Sequence, residues 1–108
     1  MKTYLDMLDE IAQADVAGLR KAEESYKDSW KKRGGVGAFM MLARKWDRIE
    51  NQLTNRLLIP PMTAFDIFQF MENSSKEGIL DDVRDLRRYL MLVEAEVLAR
   101  KANAAPSV

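Results

Sequence analysis

Two pairs of carboxylates stand three residues apart in this sequence: Asp47 and Glu50 in "RKWDRIE", and Asp82 and Asp85 in "DDVRDLRRYL". Residues three apart share one face of a helix, so each pair would project two carboxylates the same way. Like charges at that spacing repel modestly, and a helix gains nothing from them. Two such pairs facing each other across a bundle would offer several hard oxygen ligands, a set suited to a divalent cation. The ordinary reading is a solvated edge of an apolar stripe, with Arg44, Arg48, Arg84 and Arg88 near enough to form surface salt bridges. Pattern alone favours this ordinary reading.

A second stretch, "SYKDSWKKRGGVGAFM", runs from Ser25 to Met40. Lys31, Lys32 and Arg33 precede Gly34, Gly35 and Gly37, and a helix begins there. Backbone N–H groups at a helix N-terminus attract anions, and glycines let a phosphate come close. The basic side chains would add charge-assisted hydrogen bonds. This is not a P-loop, because GxxxxGK[ST] is absent and no strand precedes it. A plainer reading has Gly34 capping the preceding helix in left-handed geometry, with the lysines at its negative end. That reading leaves Gly35 and Gly37 without a reason, and tilts the balance slightly towards a functional loop.

The chain has no cysteine and no histidine. Disulfides, zinc thiolate sites, Ser-His-Asp catalysis and HExxH sites are therefore excluded. A metal site would use oxygen ligands and suit Mg²⁺, Mn²⁺ or Ca²⁺. Lys+Arg and Asp+Glu both number 17, so the net charge is zero, and no direct nucleic-acid role is expected. The first residues carry acids every few positions and no long apolar run, so neither a signal peptide nor a membrane span is expected, and the expected location is cytoplasmic.

The elements that must position these residues are helices. A first is expected from about Thr3 to Trp30, with Leu5, Leu8, Ile11 or Ala12, Val16, Leu19, Ala22 and Tyr26 at three- and four-residue steps. A second is expected from about Val36 to Leu57, burying Phe39, Leu42, Ala43, Trp46, Ile49 and Leu53. Pro60-Pro61 closes it, since the residue before a proline is pushed out of helical geometry. A short helix starts at Thr63, with Asp66 as capping-box partner and Phe65, Phe68 and Ile67 or Met71 inward, Phe70 being left over. Ser74 and Glu77 have capping-box spacing, which starts the last helix near Ser75. It runs to about Ala102 on a stripe of Ile79, Val83, Leu86, Leu90, Val93 and Val97. The expected fold is all-α: one domain over residues 1–102 with three long helices and a short one in a bundle, then a fraying tail over 103–108. The Phe65, Phe68, Phe70 and Met71 cluster is more apolar than a short helix needs, which fits a dimer interface.

"SYKDSW", "GGVGAFMMLARKWDRIEN" and "DDVRDLRRYLML" together resemble the nucleotide-modification-associated family of phages and bacteria. That family is similar in turn to the MazG-like all-α NTP pyrophosphohydrolases, whose ExxE and ExxD motifs on two helices hold Mg²⁺. The resemblance covers roughly Tyr26 to Val97. It implies that Asp47, Glu50, Asp82 and Asp85 bind Mg²⁺ or Mn²⁺, and that Glu50 or Asp85 serves as general base. The implied reaction is hydrolysis of a nucleoside triphosphate to monophosphate and pyrophosphate. Lys31, Lys32, Arg33, Gly34 and Gly35 would then hold the phosphates, with Tyr26 or Trp30 against the base. A homodimer or homotetramer is implied as well. The chain departs from the pattern at Asp47 and Asp82, where glutamates are expected, and in a longer stretch between the two motifs. The alternative is a non-catalytic nucleotide-binding or host-interacting phage-type protein on the same fold.

Overall fold

A computed structural model describes residues 1–54, 65–72 and 78–104. Its secondary structure is helical throughout: α1 (Tyr4–Tyr26), a 3₁₀ turn at Ser29–Lys31, α2 (Gly34–Thr54), α3 (Ile67–Glu72) and α4 (Gly78–Asn103). Three long helices and a short one match the expected all-α class. The chain divides into two compact units, Met1–Ala38 and Phe39–Val108. Pro60-Pro61, Thr63, Ser74, Ser75 and Glu77, expected to bound elements, lie outside the described residues, as do the tail residues 105–108.

In the first unit, α1 starts at a reciprocal cap. The Asp6 carboxylate accepts the Thr3 backbone N–H at 2.8 Å and the Thr3 hydroxyl at 3.3 Å. The helix ends four residues before the expected Trp30, because Lys27 (φ 41°) and Asp28 (φ 61°) turn left-handed. Two such non-glycine residues in a row are costly. Glu23 offsets part of that cost: its carbonyl accepts Lys27 N–H at 3.0 Å and its carboxylate accepts Asp28 N–H at 3.1 Å. Along α1 the most buried residue is Asp15, at 1% exposure. Leu5, Leu8, Ile11, Val16 and Tyr26 of the expected stripe are exposed.

In the second unit, α2 and α4 run antiparallel. Lys45 lies against Asp85 and, one turn on, Arg48 against Asp82; Gln52 also reaches Asp82 and stands beside Gly78. As α2 advances, its partners on α4 recede by equal steps, which fixes both direction and register. Ile49 and Ile79 are buried on this side. Of the expected buried face of α2, Ile49 is buried and Leu42, Ala43 and Leu53 are half-buried, while two members are not. Trp46, read from sequence as core, is 54% exposed, and Phe39 is 65% exposed. Both sit about 100° or more around the helix from Lys45 and Gln52, at roughly 100° per residue.

The short helix follows the expectation in part. Ile67 and Met71 are half-buried as expected, and Phe70 with them, but Phe65 and Phe68, expected inward, are exposed. Asp66 caps α3 itself: its Oδ1 accepts the N–H groups of Phe68 at 3.1 Å and Gln69 at 3.0 Å. With Asp66 as cap, the helix begins at Ile67, which carries Phe65 outside it in left-handed geometry (φ 62°).

Candidate functional site

The carboxylates of α4 meet cations rather than other carboxylates. Asp82 is 3% exposed. Its Oδ1 accepts Arg48 Nε at 2.9 Å, and its Oδ2 accepts Gln52 Nε2 at 2.6 Å. Gln52 Nε2 donates to the Arg48 carbonyl as well, at 3.1 Å, which ties the two donors together. Asp85 is half-buried between Lys45 Nζ, 3.2 Å from its Oδ2, and Arg84 Nε, 3.6 Å from its Oδ1. Each oxygen of the pair therefore already faces a donor or a cation from its own unit. A carboxylate accepting such bonds keeps few lone pairs for a metal, and the guanidinium beside it repels a second positive charge.

Asp47 and Glu50 stand elsewhere on α2. Each is two residues from a side chain that faces α4, Lys45 or Arg48, and a step of two turns roughly 200° around a helix. Both are exposed. Glu50 Oε2 accepts the Trp46 indole Nε1–H at 3.0 Å. Asp47 enters no ion pair among the described residues. The four carboxylates expected to share one metal are thus not brought together. No group of three or more acidic side chains placed to hold a cation occurs among the described residues.

Arg48 and Arg84, two of the arginines weighed as ordinary salt-bridge partners, do pair with these acids. Sequence reasoning missed Lys45 and Gln52. The signal was available: 45, 48 and 52 recur at three- and four-residue steps, forming a polar stripe complementary to Asp82 and Asp85.

The basic loop belongs to the first unit. Gly34 has φ 74°, the left-handed geometry that makes glycine the natural residue there. A Cβ on Gly35 would meet nothing within 4 Å, so the backbone at this point is open to approach. A Cβ on Gly37 would lie 2.7 Å from Arg33 Cβ, which gives that glycine a packing role within the turn. Lys31 is half-buried, with Nζ 3.9 Å from Asp28 Oδ2. Lys32 and Arg33 are exposed and enter no ion pair among the described residues. Trp30 is half-buried and Tyr26 exposed. A shallow apolar depression on α1, lined by Ala12, Gln13, Val16, Ala17 and Arg20, includes none of the loop residues.

No helix among the described residues is long and apolar enough to cross a membrane. Comparison with protein-family models, curated proteins and solved structures finds no match to this chain.

Proposed function

We propose that this chain is a non-catalytic binding protein for a phosphate-bearing anion, a nucleotide in the reading the motifs suggest, held at the loop from Lys31 to Gly35. The observation that carries the proposal is the contrast in how charges are used. Asp82 and Asp85 are paired inside the fold with Arg48, Lys45 and Arg84, and Gln52 donates a hydrogen bond to Asp82. Lys32 and Arg33 keep their charge exposed beside an open Gly35. Two exposed cations next to free backbone N–H groups at the start of α2 suit a phosphate tail. Tyr26, exposed a few residues away in the sequence, offers an aromatic face for a base.

The competing reading is metal-dependent pyrophosphohydrolysis. Arg48 favours it to one degree: its side chain is 57% exposed and has room to swing off Asp82 if a cation arrives. One experiment separates the two. The protein is heated with and without a panel of nucleoside triphosphates and Mg²⁺ or Mn²⁺, and the mixtures are then resolved by chromatography. A ligand bound only to the native state raises the melting temperature by mass action. The binding reading expects a nucleotide-dependent rise, lost in Lys32→Ala/Arg33→Ala, with the triphosphate recovered intact. Metal-dependent release of monophosphate and pyrophosphate, abolished in Asp85→Asn, would instead establish the hydrolase.

A further inference from the structure

The chain offers α1 two places to end, and the fold uses the one that is costlier for the backbone. α1 stops at Tyr26, where Lys27 (φ 41°) and Asp28 (φ 61°) turn left-handed without being glycine. Further on, Gly34 is left-handed too (φ 74°), a geometry that costs a glycine nothing sterically. Between them, residues 27–33 contain neither glycine nor proline. A helix carried on through Arg33 would close at Gly34, with glycine as its left-handed cap. The charges favour that longer helix. Glu23 and Lys27, and Asp28 and Lys32, are each four apart with the acid first, the better order for such a pair on a helix. Glu24 and Asp28 come to the same spacing and oppose it. Lys31, Lys32 and Arg33 would fill its last turn, where cations meet the negative end of the helix. As α1 stands, its last turn holds no basic residue.

Local contacts hold the shorter helix. The Glu23 carboxylate accepts the Asp28 N–H at 3.1 Å. In the 3₁₀ turn the Asp28 carbonyl accepts the Lys31 N–H at 3.1 Å, and the Ser29 carbonyl accepts the Lys32 N–H at 3.2 Å. Such bonds are poorer in geometry than those of an α-helix. Trp30 and Lys31 are half-buried. The bond from Lys27 N–H to the Glu23 carbonyl, 3.0 Å, is common to both endings and favours neither. One carboxylate bond, two 3₁₀ bonds and two half-buried side chains are thus set against two left-handed residues and a row of unused helix-stabilising charges. Contributions of this size lie close to balance.

We propose that residues 27–33 are a two-state segment: a short form, in which α1 ends at Tyr26, and a long form, in which it runs on through Arg33 to Gly34. The long form is the minor one, at about 1–10% of the population. The two forms differ in what the cations do. In the short form Lys32 and Arg33 are exposed at the start of α2. In the long form they close α1 against its own last carbonyls, and Lys32 comes into reach of the Asp28 carboxylate. The segment thereby sets how much free positive charge the loop presents. As a control on anion binding it rests on the function proposed above; as a two-state segment it does not.

Carbon-13 saturation-transfer and relaxation-dispersion NMR on the full chain, with no ligand present, read both forms. Wild-type residues 27–33 are expected to exchange with a second state whose Cα shifts are helical. Asp28→Ala replaces a residue that tolerates left-handed geometry with the best helix former, and should raise the ratio of long to short form about tenfold. Lys27→Gly acts in the opposite sense, easing the left-handed turn and weakening the helix, and should lower that ratio about tenfold and quench the exchange. A wild type without exchange at 27–33 would overturn the proposal. So would populations unchanged in both variants, since the geometry at Lys27 and Asp28 would then not set the balance. Because no anion enters the measurement, a loop that binds no nucleotide leaves its result unchanged.

Discussion

The two faces of α2 invert the usual division between core and surface. The face turned to α4 carries Lys45, Arg48 and Gln52 around Ile49, and there the charged groups are matched to Asp82 and Asp85. About 100° around the helix, Phe39 and Trp46 stand in water. Hydrogen-bonded ion pairs fix direction and register, because a slip of one residue would leave Asp82 buried without its donors. Apolar side chains are more tolerant of register. The polar face of α2 thus specifies the fold, and Phe39 and Trp46 stand outside it.

The largest effect expected from breaking this contrast is at Asp82. Asp82→Ala removes the buried acceptor of two donors and should lower stability by about 2–3 kcal/mol, shifting the melting temperature by roughly 10–20 °C. Urea unfolding without added metal checks it. If Asp82 and Asp85 were instead mutually repelling ligands awaiting a cation, the same substitution would stabilise the metal-free chain.

A smaller effect sharpens the same point. Lys45 and Asp85 are partly buried, with side-chain exposures of 19% and 35%. A double-mutant cycle between Lys45→Met and Asp85→Asn should show a favourable coupling of about 0.5–1 kcal/mol, reduced but not abolished by salt. The smallest effect belongs to the apolar face. Phe39→Glu should change the unfolding free energy of dilute protein by about 0.5 kcal/mol or less, since an exposed side chain contributes little to the monomer. A loss several times larger would mean that Phe39 is part of the fold.

The sequence discloses the elements better than their phases. Three long helices and a short one were legible from three- and four-residue periodicity and from the glycine and proline breaks. The end of α1 was not, because Lys27 and Asp28 take left-handed geometry with no glycine to mark it. On α2 the difficulty is physical. Apolar residues cover more than half its circumference, so two overlapping stripes fit: one through Ile49, one through Phe39 and Trp46. Periodicity cannot choose between them; the choice rests on Asp82 and Asp85, 30 to 40 residues from their partners on α2. Asp82 itself looks like a surface acid until Arg48 and Gln52 are set opposite it. The loop was readable in part: Gly34 is left-handed as expected, but it opens α2 while Lys27 caps α1, and Gly37, for which the sequence offered no structural reason, is a packing glycine.

The most direct test of whether Asp82 and Asp85 are engaged by their own fold is a titration of ¹⁵N-labelled protein with Mn²⁺, followed by amide line broadening. Paramagnetic broadening is steeply local and reads metal binding without needing turnover. With both carboxylates held by Arg48, Gln52, Lys45 and Arg84, the amides of 45–52 and 78–86 are expected to broaden no more than those near any exposed acid. Selective early loss of those two segments together, reversed by Mg²⁺ and absent in Asp82→Asn, would contradict the structural role assigned to these residues and return them to a metal centre.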